Sequence, residues 1–162
     1  MLIRPAVPDD FADILRLNHE WVHVTSPLDR ALLAHLNAHA VYHRVCVLEE
    51  RVVGFLLALG PGVAYASPNY RWFSERPGGF LYIDRVVVSA ERQQAGAGRA
   101  LYADLFAFAR EQGISRLVCE VDVEPLNAAS DAFHARWGFA EVGTQWIAEG
   151  KKRVSLRECV VG

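Results

Sequence analysis

Leu81-Tyr82-Ile83-Asp84-Arg85-Val86-Val87-Val88 runs through Ser89-Ala90-Glu91-Arg92 into Gln93-Gln94-Ala95-Gly96-Ala97-Gly98, and Arg99 to Arg110 then carries Leu101, Leu105 and Phe108 at helical spacing. The β-branched run reads as a strand, the glycines as a tight loop, and the spaced apolar residues as a helix. Gln112-Gly113 stops that helix, and Arg116 to Val121 reads as another strand. Strand, loop, helix and strand make a βαβ unit, so the two strands are expected to be parallel with a right-handed crossover. Ligands of such units gather at the carboxyl ends of the strands, here Val88 and Val121. The Gly-rich loop sits at that end. Its unpaired backbone amides and the positive end of the helix dipole suit a phosphate.

Working outward toward the N-terminus, Leu2 to Arg4 reads as a strand and Pro8-Asp9-Asp10 as a helix start, followed by a stripe of Phe11, Ile14, Leu15, Asn18, Trp21 and Val22. Asn18 is the polar member of that stripe. It is expected to bond a nearby backbone group or to contact a substrate. Thr25-Ser26-Pro27 breaks the helix, and Asp29 to His39 forms a second around Leu32, Leu33 and Leu36. His43 to Leu48 and Val52 to Leu59 read as an antiparallel hairpin across Glu49-Glu50-Arg51. Val63 to Gly79 has no clean period but carries Tyr65, Tyr70, Trp72 and Phe73, which suits either a substrate wall or a loop packed on the core. Beyond the βαβ unit, Glu124-Pro125-Leu126-Asn127 turns into a helix from Ala128 to Trp137 that Gly138 closes, placing Asn127, Ser130 and His134 on one face. Phe139 to Trp146 and Lys151 to Val160 finish the chain as two strands around Glu149-Gly150.

The 162 residues suit a single domain spanning 1–162, and the net charge of −2, with both signs mixed, offers no footprint for nucleic acid or an anionic membrane. Met1-Leu2-Ile3-Arg4-Pro5 lacks the pattern of a secretory signal and no apolar run has membrane-spanning length, so a cytoplasmic protein is expected. Cys46, Cys119 and Cys159 are scattered through strand-like runs and read as buried thiols rather than a metal or redox site. His19-Glu20-Trp21-Val22-His23 matches the zinc-protease pattern, with Asp29 at the spacing of a third ligand. Ser26-Pro27 stands where that third-ligand turn needs a glycine, and no sheet precedes the helix, so zinc chemistry is the minor alternative.

Gly96-Ala97-Gly98 lacks the third glycine of a Rossmann site, since position 101 is Leu101, and lacks the Gly-Lys-Ser/Thr of a P-loop. The remaining pattern, Gln93-x-x-Gly96-x-Gly98-Arg99 behind Val86-Val87-Val88, resembles the acetyl-CoA segment of the GNAT (Gcn5-related) N-acetyltransferase superfamily. Asn127-x-x-Ser130-x-x-Phe133-His134-x-x-x-Gly138-Phe139 is similar to that family's second motif. The resemblance implies an α/β (α+β) fold: a mixed, mostly antiparallel sheet with a central parallel βαβ unit and helices on both faces.

It also implies roles. Backbone amides of Gln94, Ala95, Gly96, Ala97, Gly98 and Arg99, with Gln93 opening the loop, would hold the pyrophosphate of acetyl-CoA. The main chain of Val86, Val87 and Val88 would lie along the pantetheine arm, and Asn127 would reach the cofactor from the other side. His134 stands where the family has a tyrosine that protonates the departing thiolate, and an imidazole can deliver that proton near neutral pH. Asp84 or Glu120 would take the proton of the attacking ammonium. Asn18, Tyr70, Trp72 and Tyr82 are candidate acceptor contacts. The implied reaction is direct acetyl transfer from acetyl-CoA to a primary amine of a small molecule or peptide, with no metal and with room for a homodimer. The rival is a non-catalytic acyl-CoA sensor, which the missing tyrosine suggests.

Overall fold

A computed structural model describes residues 1–162. In chain order it contains β1 (Leu2–Pro5), a 3-10 turn (Pro8–Asp10), α1 (Phe11–Glu20), α2 (Arg30–His39), β2 (Tyr42–Leu48), β3 (Arg51–Leu59), α3 (Pro68–Ser74), β4 (Leu81–Val88), a 3-10 segment (Ala90–Ala95), α4 (Ala97–Glu111), β5 (Arg116–Glu124), α5 (Ala128–Arg136), β6 (Ala140–Ile147) and β7 (Lys152–Val160). The seven strands follow the order β1-β2-β3-β4-β5-β7-β6. The pairs β1/β2, β2/β3, β5/β7 and β6/β7 are antiparallel, and β4/β5 is parallel. This is the expected mixed, mostly antiparallel sheet with one parallel pair. The residues fall into two compact units, Met1–Leu59 with Ile83–Gln112, and Gly60–Tyr82 with Gly113–Gly162, so the division falls inside β4.

In the first unit, β3 is buried from Val52 to Leu59, as a continuous apolar run covered on both faces should be. Gly54 is needed there because a Cβ would lie 3.0 Å from the Val87 carbonyl and 3.6 Å from Leu101. α4 buries Ala97, Leu101, Tyr102, Leu105, Phe106 and Ala109. Phe108, expected in that stripe, is half-buried instead, set edge-on to Tyr42 and under the Arg44 guanidinium. The hairpin turn puts Glu49 and Glu50 at φ +52° and +64°, the left-handed pair that a two-residue hairpin loop requires.

In the second unit, β4 enters parallel to β5, Leu81 beside Leu117 and Tyr82 beside Val118. β5 continues past Val121 to Glu124, three residues beyond its expected end, with an irregularity between Asp122 and Glu124. The aperiodic segment Val63 to Gly79 contains a helix, α3, which Ser67 caps by accepting from the Tyr70 amide at 3.2 Å and which opens on Pro68. Seven residues are too few to make an apolar stripe, which is why periodicity alone reads them as loop. α3 lies on β6, where Gln145 donates to Asn69 Oδ1 at 2.8 Å and the Trp72 indole fills the space a side chain at Gly143 would need. No helix is long and apolar enough to cross a membrane.

Candidate active site

The Gly-rich loop belongs to the first unit. β4 alternates, with Arg85 and Val87 buried and Val86 and Val88 partly exposed. At its end the Val88 carbonyl accepts from the Trp21 indole at 2.9 Å and the Gln93 amide at 2.8 Å, and Ser89 N–H donates to Val53 at 2.7 Å. Gln93 therefore serves the loop through its side chain. Neither it nor Trp21 was expected on this carbonyl, since nothing in the spacing of positions 21, 88 and 93 brings them together. Ala90 N–H meets Glu20 at 3.2 Å, and Arg92 pairs with Glu49 at 2.7 Å.

Gly96 has φ +83° and ψ +17°, and a Cβ there would meet nothing within 4 Å. Its glycine answers to backbone conformation rather than to crowding. Gly96 is also the N-cap of α4, with no side-chain cap, and the first intrahelical bond runs from Ala100 N–H to the Gly96 carbonyl at 3.0 Å. The amides of Ala97, Gly98 and Arg99 therefore have no acceptor within the helix. Gln94, Ala95, Gly96 and Arg99 are exposed, while Ala97 is fully buried and locks the helix start to the core. An exposed, uncapped helix N-terminus entered through a left-handed glycine fits an anionic pyrophosphate.

Asp84 belongs to a buried network with Arg85, Asn18 and Ser26. Its carboxylate meets Arg85 Nε at 2.7 Å, with side-chain exposures of 3% for Asp84 and 1% for Arg85. Arg85 also donates to Asn18 Oδ1 at 3.0 Å, to the Ser26 carbonyl at 3.1 Å and to Ser26 Oγ at 3.0 Å, and Asn18 Nδ2 donates to the Ser26 carbonyl at 3.1 Å. Asn18 thus bonds backbone, and the Asp84 carboxylate is held in a buried ion pair with Arg85.

The other candidates lie in the second unit. Tyr82 is buried and its hydroxyl donates to both Glu120 oxygens, at 2.8 and 3.1 Å, while Glu120 is partly exposed. Tyr70 is buried too; its hydroxyl donates to the Gly60 carbonyl at 2.6 Å and accepts from Val63 N–H at 3.0 Å. Trp72 is half-buried, with the Arg76 guanidinium 3.5 Å above its ring. Asn127 caps α5, its Oδ1 accepting from Ser130 N–H at 3.2 Å. That role was legible in Asn127-x-x-Ser130, yet the family motif alone drew attention to it.

His134 is buried, 5% exposed, and set edge-on to Phe133 and Phe139. Nδ1 lies 2.8 Å from the Ser130 carbonyl, so it carries the proton of the neutral ring. Burial holds the imidazole below its usual range, with Arg157 adding to the effect and the Ser130 carbonyl and Asp131 opposing it.

The protease-like stretch does not form one helical face. α1 ends at Glu20, leaving exposed His23 in the following turn, stacked on Trp21, and Asp29 caps α2 by accepting from Leu32 N–H at 2.8 Å. The structure contains no group of three His, Cys, Asp or Glu side chains suited to a metal.

The sequence profile of the acetyltransferase (GNAT) family matches residues 9–139. No curated protein matches the sequence significantly. Among solved structures, Ard1 from Thermoplasma volcanium is similar with a TM-score of 0.78 at 19% identity, over 99% of this chain and 97% of that one. The ribosomal-protein-alanine N-acetyltransferase from Brucella melitensis is similar with a TM-score of 0.74 at 24% identity, over 99% of both chains. The yncA protein of Salmonella typhimurium, solved with its cofactor acetyl-CoA, has a TM-score of 0.73 at 21% identity, over 100% of this chain and 94% of that one.

Proposed function

Because the chain belongs to the acetyltransferase (GNAT) family and is an acyltransferase with acetyl-CoA as cosubstrate, we propose that it moves the acetyl group directly onto a primary amine of a small molecule or peptide. The observation that carries this reading is the uncapped start of α4 behind left-handed Gly96, at the carboxyl end of β4. The amides from Gln94 to Arg99 hold the pyrophosphate, and the Val86–Val88 main chain lies along the pantetheine arm. The Val88 carbonyl already serves Trp21 and Gln93, so Val86 carries the main-chain bonding. Asn127 completes the cofactor contacts while capping α5.

Acetyl-CoA, when bound, supplies the thioester carbonyl that the amine attacks. A lysine-like amine is neutral in only about one part in a thousand at pH 7, a deficit of roughly 4 kcal/mol that a base must offset. Glu120 takes that proton. Its carboxylate is partly exposed and held by a neutral hydroxyl, whereas Asp84 is sealed against Arg85. The Val86 N–H steadies the developing oxyanion, a contribution of a few kcal/mol when such a donor is aligned. His134 exchanges its proton through Nε2, because Nδ1 donates to Ser130. Burial keeps the ring neutral at the start, so it accepts the second proton that the attacking nitrogen releases as the C–N bond forms and then gives it to the thiolate as the C–S bond breaks. Trp72 borders the acceptor.

Calorimetric titration with acetyl-CoA tests the cofactor site. Wild type is expected to bind, and Gly96→Glu, which forces a side chain and a negative charge into the left-handed position, is expected to weaken binding by more than about tenfold. Absence of binding by the wild type overturns the reading. Binding without thiol release against a broad amine panel selects the acyl-CoA sensor instead.

A further inference from the structure

We propose that Tyr82 is the positioning residue of Glu120, and that the aromatic segment around α3 is the brace that fixes it. This rests on Glu120 being the base. Tyr82 is 1% exposed, and its hydroxyl spans both oxygens of the Glu120 carboxylate, at 2.8 and 3.1 Å. A single donor shared between two oxygens fixes the carboxylate's direction. A carboxylate oxygen accepts more than one hydrogen bond, so the proton-accepting capacity survives the contact.

The tyrosine can hold the carboxylate only if its own ring is held. Tyr70 meets the Tyr82 ring edge-on with centroids 5.5 Å apart, and Phe73 lies at 6.0 Å. Phe80 meets both Tyr70 and Phe73, at 6.0 and 6.2 Å. Tyr70 is in turn pinned by the Gly60 carbonyl and the Val63 amide. A continuous set of contacts therefore runs from Gly60 through α3 to the carboxylate on β5, all within the second unit. The aromatics of this segment act on the base from behind.

Two other charged residues of β5, Arg116 and Asp122, are ion-paired. Asp122 pairs with Lys152 at 3.0 Å, and on β7 Glu158 pairs with Arg116 at 2.6 Å. Leu156 stands opposite Glu120 across the ladder. Losing the Tyr82 hydroxyl removes a donor to the ionised carboxylate.

The test compares Tyr82→Phe, Glu120→Gln and the double variant of the full chain, using the amine that gives most thiol release in a screen. Phe keeps the ring, and unchanged near-ultraviolet circular dichroism checks the packing. Tyr82→Phe is expected to move the acidic limb of the kcat/KM profile upward by about one pH unit, a loss of roughly tenfold below that limb, because the anion has lost a donor. The KM for acetyl-CoA is expected to stay within about twofold. In the Glu120→Gln background the same change is expected to add less than about twofold, since coupled residues are not additive. An unmoved limb in Tyr82→Phe, with Glu120→Gln inactive, overturns the positioning role alone. Wild-type kcat in Glu120→Gln overturns the base assignment and this proposal with it.

Discussion

The loop after β4 and the Tyr82–Glu120 pair do opposite things with the same chain. The first is built from main chain: exposed amides, a left-handed glycine and an uncapped helix, with side chains only bracing it from below. The second is built from side chains, a buried phenol on a carboxylate with the rings of Tyr70, Phe73 and Phe80 behind it. A main-chain site tolerates almost any residue except where the backbone demands glycine. A side-chain site depends on every contact that orients it.

Removing the deepest brace of the first region should have the largest effect. Arg85→Ala leaves the Asp84 carboxylate buried without its guanidinium and empties the seat beneath Asn18 and Ser26, and breaking such a buried pair costs about 3–5 kcal/mol. Urea unfolding measures it, and a loss under 1 kcal/mol would mean that the Asp84–Arg85 pair is not a buried, mutually dependent pair.

Acid is expected to have the next largest effect. His43, in the first unit, has its pKa lowered to about 4, chiefly by burial and against the pull of Asp10, while its Nδ1 is 2.7 Å from Asn37 Oδ1. The unfolded chain binds that proton near the ordinary value of 6.5, so the stability His43 provides is complete above 6.5 and is lost as pH falls toward 4, by up to ~3 kcal/mol. His134 is also lowered and adds in the same direction. His43→Gln should flatten the stability profile between pH 6.5 and 4, and an unchanged slope contradicts the assignment.

A smaller effect is expected at the second region's far wall. Gly143→Val pushes a side chain into the Trp72 indole, which Arg76 covers from above, so α3 must shift at about 1–3 kcal/mol. Turnover should fall with the shift, whereas acetyl-CoA affinity should not. Equal losses in both would mean that the two regions are not separable. The smallest change is Asn127→Ala, which removes the cap of α5 at about 1 kcal/mol. Any loss of acetyl-CoA affinity beyond the stability effect sharpens the assignment of Asn127 to the cofactor.

The same contrast governs what could be read from sequence. Gly96, the β-branched run of β4 and the stripe of α4 are local signals, and together they predict the parallel pair, the tight loop and the helix that the structure contains. The second region is not local. Tyr82 and Glu120 lie on neighbouring strands with α4 between them in the chain, and no spacing rule says that one hydroxyl will meet the other's carboxylate. Likewise Asn18, Ser26 and Arg85 are ordinary polar residues until the fold stacks them, and α3 is too short to declare itself except through Ser67-Pro68. His134 could be read as an exposed side chain because α5 is short and mixed; the rings of Phe133 and Phe139 bury it.

The central claim is acetyl transfer to an amine, and the most direct measurement is thiol release from acetyl-CoA across amino acids, polyamines, peptides with free N-termini and aromatic amines. The account predicts that at least one class raises the rate well above spontaneous thioester hydrolysis and that Glu120→Gln removes the gain. Bound acetyl-CoA with no amine-dependent release from any class would contradict it.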